Sequence, residues 1–525
     1  MSPIAKAASV LLVRGSTDAE LFVIQRAETL RFLGGFRAFP GGKVATSDGL
    51  LPETLIEDSR QSNQILLERS VAAARELFEE TGILLARRPD RSFPASSSTL
   101  SYLRRKLIAE NWPIQRVLKL LSLRLHLADF QYLGRLTTPP FLPTRFDTAF
   151  FLAHLPSNQR AEVWPGELAK GEWTTAAGLL QCWTRGDCLI ASPTLAILQA
   201  LRNLPAGELA SRLAQLFASQ SDAQIPVIHF SPDVLLIPLD TESLPPSTHT
   251  NAFLVGRGPV YLIDPGSALA EEQGRLFTLL DAQAEAGRRV TAVVLTHQHP
   301  DHIGAASACA ERYRVPIFAH PLTAKRLQGK VAVERELRDG DRLDLGPAPD
   351  MGGAWFVEAL HTPGHAPGHL AFYDPHYQLL FAGDMVSTLS SVVIGPPDGD
   401  LAVYLDSLRR LRNLPCRLLL PAHGSPSARP QHTIDACIAH RVRREQQLLA
   451  AMRATPRSVP ELAIALYKGL PPNMIRFAEL QVQAGIEKLE REGRVVATGV
   501  EQGRKWSASQ FPNPKARRFS RINLT

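Results

Sequence analysis

The stretch Thr296-His297-Gln298-His299-Pro300-Asp301-His302 places four potential metal ligands within six residues. It follows an apolar, β-branched run at 290–295 that reads as a strand. A chain leaving a strand points alternate side chains the same way. His297 and His299 are therefore expected to face one ion, and the turn that follows directs Asp301 and His302 towards a second. Neutral imidazole suits zinc and a carboxylate balances its charge, so two zinc ions are the expected cofactors. Further along stand Thr362-Pro363-Gly364-His365, Gly383-Asp384 and Pro421-Ala422-His423-Gly424. The last two close short apolar runs at 379–381 and 417–420, and strand ends are where α/β proteins keep their sites.

HxHxDH, TPGH, GD and AHG, in that order, resemble the metallo-β-lactamase superfamily over about 200 residues. The resemblance implies an αβ/βα sandwich. It gives His297, His299 and His365 to a first metal, Asp301, His302 and His423 to a second, and Asp384 to both. Asp264, in Leu262-Ile263-Asp264-Pro265-Gly266, matches the family's first motif and would support the ligands. A dinuclear site of this kind activates water at neutral pH. Asp301 and Asp384 are then the catalytic carboxylates that orient the nucleophile, and His249, His361 and His369 are candidates for supporting or substrate-contacting roles.

A length of 525 residues, with 45% hydrophobic and 21% charged residues, allows more than one globular core. No apolar run approaches the roughly 18 residues that span a bilayer, so no membrane partner is expected. The apolar start at residues 7–13 reads as a first strand and not as a leader. The five cysteines are scattered, without a CxxC pair, which fits a reducing cytoplasm. Three regions emerge: 1–215, 225–432 and 433–525. The fold class expected is multidomain α/β and α+β.

In the first region, strands are expected near 8–13 and 20–25, and a helix over 68–80 with Val71, Ala74, Leu77 and Phe78 on one face, ended by Gly82. A closing helix is expected over 206–222. Arg75-Glu76-Leu77-Phe78-Glu79-Glu80-Thr81-Gly82-Ile83 puts three carboxylates, Glu76, Glu79 and Glu80, on one helical face. They repel each other unless a hard cation such as magnesium or manganese binds. This segment resembles the Nudix hydrolases, which implies an α/β/α sandwich, a diphosphate substrate, and Glu76 and Glu79 as catalytic ligands. Asp48 stands where the Nudix pattern has a glutamate, and 26 residues separate it from Arg75 instead of seven. Arg26-Ala27-Glu28-Thr29-Leu30-Arg31, Gly35 and Phe39-Pro40-Gly41-Gly42 resemble the coenzyme A diphosphatases, although Ile24 replaces that motif's threonine. Arg26 and Arg31 would then bind phosphates of a small-molecule diphosphate such as coenzyme A or a nucleoside diphosphate derivative.

The net charge of +7 is partly carried by the last hundred residues, as in Arg441-Val442-Arg443-Arg444 and 515–521. A helix over 478–491, a turn at Gly493, and strands at 495–500 and 505–508 resemble the winged helix appended to a β-lactamase-like endoribonuclease group. Such a domain either lays a basic helix along single-stranded RNA or serves packing and homodimer formation. The tail and charge favour RNA phosphodiester hydrolysis. The alternative is hydrolysis of an acyl-thioester, as in glyoxalase II, with the Nudix half a ligand-binding module.

Overall fold

The computed structural model describes residues 4–509 apart from 16–18, 31–32, 58–63, 140–141, 143, 205, 219–227 and 499–503. The chain forms two compact units that divide between Leu236 and Ile237. Arg31 lies outside the described residues, as do the end of the expected helix over 206–222 and the basic stretch 515–521.

The first strand, Ala5–Arg14, pairs in parallel with Phe146–His154 over its whole length, Ala5 opposite Phe146 and Val13 opposite His154. Its sequence is a continuous apolar run and not an alternating one because both faces are covered. Ala8, Val10 and Leu12 pack with Val71, Ala74, Leu77 and Phe78 of the helix Gln64–Thr81. Leu11 and Val13 pack on the other face with Leu179, Leu198 and Leu213, from three further helices. Glu20–Arg26 follows the same rule, Phe22 and Ile24 on one side and Leu21 and Val23 on the other. The result is an eight-stranded sheet between helical layers, the α/β/α sandwich that the Nudix resemblance implies. The acidic helix runs four residues earlier and one later than the spacing suggests, and the described part of the closing helix is Leu209–Ala218.

The second unit opens with two sheets. One runs in the order Val234–Asp240, His249–Val255, Val260–Ile263, Val290–Val294, Ile317–Ala319, Arg335–Glu336. The other runs Arg342–Pro347, Ala354–His361, Leu370–Asp374, Leu379–Gly383, Leu418–Pro421. Phe253 of the first meets Phe381 of the second edge to face at 5.1 Å. Alternate residues Ala371, Leu380 and Ala382 pack the other way, against Leu401, Leu405 and Leu408 of the helix Leu401–Arg412. Sheet faces sheet with helices outside, which is the αβ/βα sandwich. After the strand Val290–Val294 the chain forms two short helices, Pro300–Ile303 and Ala306–Tyr313, with a break between them. The break falls where Gly304 approaches another segment closely: a Cβ there would lie 2.4 Å from the Gly266 carbonyl oxygen.

The long helix Pro430–Met452 leads into Val459–Leu466, Ile475–Arg491 and the antiparallel pair Val495–Thr498 and Lys505–Ala508. Ser458 caps the middle helix, reciprocated by Glu461 in a capping box. Leu448, Met452, Leu462, Val482, Ile486 and Leu489 form the small core of this winged helix. Among the described residues no helix is long and apolar enough to cross a membrane.

Candidate metal centre

The strand Val290–Val294 ends in the sandwich, and the chain then releases Thr296 to His302 across its edge. His297 Nε2 lies 2.8 Å from His299 Nδ1, and His365 Nε2 lies 2.9 Å from the same atom and 3.3 Å from His297 Nε2. Burial holds all three imidazoles below their ordinary pKa, reinforced at His297 by the neighbouring His302, and His365 falls to about 4.

The ring nitrogens turned away from this meeting point fix the tautomers. His297 Nδ1 donates to Thr296 Oγ1 at 2.9 Å, since that hydroxyl gives its own proton to Asp264 Oδ2 at 2.6 Å. His365 Nδ1 donates to the Val393 carbonyl at 2.9 Å. The facing Nε2 atoms of His297 and His365 are therefore bare lone pairs. Neutral lone pairs that converge in a buried site repel unless a cation sits among them, so the donor set fits a metal ion.

Asp301, His302 and His423 form a second group. His302 Nδ1 is bound to Asp264 Oδ2 at 2.8 Å and His423 Nδ1 to the His249 carbonyl at 2.9 Å, so both present Nε2 inward. His302 Nε2 and Asp384 Oδ1 are buried without a hydrogen-bond partner among the described residues, which a cation would satisfy. Burial opposes charge on His302, but Asp384, Asp264 and Asp301 together hold its pKa above the ordinary value. Asp384 reaches both groups, Oδ2 lying 3.4 Å from His365 Nε2 and Oδ1 3.3 Å from His423 Nε2. The arrangement is two His/Asp clusters consistent with a dinuclear metal site.

The profile described as the metallo-beta-lactamase superfamily matches residues 246–423. An atrochrysone carboxyl ACP thioesterase of Aspergillus fumigatus is 30% identical over 262 residues, spanning 47% of this chain and 77% of the thioesterase. The chain belongs to the metallo-β-lactamase superfamily. A lactamase-like protein, adaB, of Aspergillus niger is 29% identical over 289 residues, 51% of this chain and 84% of its own. The beta-lactamase associated winged helix domain matches residues 458–506. A NUDIX hydrolase from Alicyclobacillus acidocaldarius has 30% identity over 40% of this chain and 96% of its own, at a TM-score of 0.37. The chain is thus a metal-dependent hydrolase of the metallo-β-lactamase fold.

Several residues of this metallo-β-lactamase site escaped the sequence reading. Ser243 Oγ donates to Asp301 Oδ2 at 2.9 Å. Gln298 Nε2 donates to Asp398 Oδ2 at 3.1 Å, and Asp398 is also paired with Arg326 at 2.6 Å. Among the three extra histidines, His369 accepts from the Asp384 backbone N–H at 3.1 Å and so positions that ligand. His249 contributes its carbonyl to His423, while its ring bonds Thr248 Oγ1 at 2.7 Å. His361 stacks on His320 at 4.2 Å and bonds the Pro367 carbonyl, making no bond to a ligand.

In the first unit, Arg75 grips Asp48 with two hydrogen bonds of 2.9 Å and bonds Glu76 at 2.8 Å and Glu79 at 3.0 Å. The inserted residues thus leave the motif's ends joined. A Cβ on Gly42 would lie against the Glu76 carboxyl group, so the loop and the acidic helix meet there closely. The Gly41 N–H donates to Glu80 Oε2 at 2.7 Å. Burial and the Glu76 charge push Glu79 up to about 7 and Glu80 well above the usual carboxylate range. Among the described residues, however, the groups that bring three or more ligand atoms within 4.8 Å of one another both lie in the second unit. The three glutamates share a face without being gathered that tightly. Arg26 lies near this acidic face: its charge acts on Glu80, and its Nε is buried without a hydrogen-bond partner among the described residues.

Proposed function

We propose that the metallo-β-lactamase site hydrolyses an acyl-thioester carried on a phosphopantetheine or similar thiol. The observation that carries this reading is the likeness to the atrochrysone carboxyl ACP thioesterase, which spans the metal-ligand motifs. A second observation weighs against RNA. Two arginines of the basic helix are engaged within the protein: Arg441 is buried on Gln481, and the half-buried Arg444 lies over Tyr467 at 4.3 Å with a bond to the Leu466 carbonyl. Lys488 is likewise spent on Glu445 and Glu492.

Divalent cations, with zinc the ion we favour for this donor set, would supply Lewis acidity, making water nucleophilic near neutral pH and polarising a carbonyl. His297, His299 and His365 would hold one, Asp301, His302 and His423 the other, and Asp384 both. The chain's own part is orientation. Ser243 fixes the Asp301 carboxylate, leaving it to accept a proton from the attacking water. The water oxygen bonds to the carbonyl carbon, the C–S bond breaks, and the sulfur leaves with the electron pair and takes up the proton. The products are a carboxylic acid and a free thiol.

For the first unit we propose binding of a diphosphate ligand of the coenzyme A or nucleoside type through magnesium or manganese at Glu76, Glu79 and Glu80. The test is hydrolysis by the metal-loaded full chain of acyl-coenzyme A and acyl-pantetheine, read as released thiol, beside a single-stranded RNA oligonucleotide. Metal-dependent thiol release with intact RNA supports the thioester reading. RNA cleavage without thiol release sinks it.

A further inference from the structure

The loop between Asp384 and the helix Leu401–Arg412 shapes the first metal group from behind. The Val393 carbonyl accepts from His365 Nδ1 at 2.9 Å, and the Asp400 N–H donates to the Gly364 carbonyl at 2.8 Å. Both sides of His365 thus rest on one loop. That loop is held in turn by the C-terminal region. Arg441, only 5% exposed, donates from Nη2 to the Val392 carbonyl and from Nη1 to Gln481 Oε1, the latter at 2.6 Å. Its guanidinium lies 5.3 Å from the ring of Tyr404, whose hydroxyl donates to the Met385 carbonyl at 2.8 Å, next to Asp384. Gly395 presses so closely on Leu480 that an added Cβ would lie 2.6 Å from the leucine's Cβ. Arg491 pairs with Asp400 at 2.8 Å.

We propose that the winged-helix region is a working part of the metal site, with Arg441 as the positioning residue that couples Gln481 to the loop orienting His365. Gln481, Leu480 and Arg491 all lie within the winged-helix match. A histidine ligand whose outer nitrogen loses its fixed acceptor typically weakens metal binding by about 10–100-fold. Arg441 holds the carbonyl of Val392, the residue next to that acceptor in the chain. The inference depends on the metal site alone and not on the substrate chosen, so its failure would leave the thioester reading standing.

Arg444 supplies the control. It lies on the same helix, is bonded to Leu466 and packed on Tyr467, and makes no bond to the loop. The experiment compares Arg441→Met, Arg441→Lys and Arg444→Met in the full chain. Three readouts are taken: chelator competition for bound zinc, the visible absorption of the cobalt-substituted protein, and thermal melting. Arg441→Met is expected to bind its weaker-held metal about 10-fold less tightly or worse, with an altered cobalt spectrum. Arg441→Lys should recover part of that loss, and Arg444→Met should keep wild-type affinity and spectrum. Wild-type metal affinity in Arg441→Met overturns the proposal. So do equal losses in Arg441→Met and Arg444→Met, which would reduce the contact to general stability. If Arg441→Met does not fold, the same comparison between Arg441→Lys and Arg444→Met decides.

Discussion

Asp264 tests the reasoning about the site most sharply, because it belongs to neither ligand group and acts through Thr296 and His302. Its carboxylate is 2% exposed and accepts three hydrogen bonds: from the Thr296 N–H at 2.8 Å, the Thr296 hydroxyl at 2.6 Å and His302 Nδ1 at 2.8 Å. All three partners are donors, and two oxygens serve them. Asp264→Asn keeps the shape and tolerates the local φ of +48°, which asparagine adopts more readily than most residues. It replaces one oxygen with an N–H₂ group. If that group faces His302, the imidazole must move or switch tautomer and turn an N–H towards the metal. If it faces the Thr296 N–H, two donors collide in a buried place. A hydrogen bond to a charged group is worth about 1.5–3 kcal/mol, and 1.4 kcal/mol is about tenfold in an equilibrium constant. The expected loss is therefore about 10- to 100-fold in affinity at the second metal position, the first being less affected. Chelator competition followed by elemental analysis reads this out, with circular dichroism to check the fold. Two metals held at wild-type affinity by a folded Asp264→Asn protein would refute the tautomer argument.

Other outcomes follow from the same geometry. Ser243→Ala should lower thioester turnover several-fold with both metals retained, as measured by initial rates beside elemental analysis, because Asp301 loses the hydroxyl donor that holds it from outside the cluster. Asp48→Asn in the first unit weakens one of three carboxylate partners of the buried Arg75, at a cost of about 1–3 kcal/mol. Differential scanning calorimetry should show a lowered melting transition, while thiol release by the second unit persists. Thioester turnover should be nearly flat between about 50 and 200 mM salt, whereas a protein gripping several phosphates would lose orders of magnitude in RNA affinity over that range.

The metal centre was legible because its ligands sit in short motifs at strand ends, where local spacing fixes direction. His297 and His299 do converge, and Asp301 and His302 do turn to a second group. The supporting atoms were not legible. Ser243 stands 58 positions from Asp301, and the Val393 carbonyl is backbone, which carries no residue signature. The break between the helices Pro300–Ile303 and Ala306–Tyr313 falls where Gly304 meets the chain at Gly266, a contact no periodicity encodes. The surroundings of the basic helix were not legible either: sequence shows that Arg441 and Arg444 are charged but not that Arg441 is buried on Gln481 or that Arg444 bonds the Leu466 carbonyl. The paired faces of the first sheet hid their alternation, since a strand buried on both sides reads as one apolar run.

The central claim is that the histidine-rich centre cleaves thioesters with bound divalent cations. The most direct measurement is thiol released per metal-loaded chain from acyl-pantetheine, compared with the same protein carrying His297→Ala and Asp384→Asn. The account predicts multiple turnovers for the wild-type chain and loss of at least about three orders of magnitude in the double variant, which lacks a first-metal ligand and the carboxylate shared by both groups. Undiminished thiol release by the double variant, or none from a wild-type chain shown to hold two metals, would contradict it.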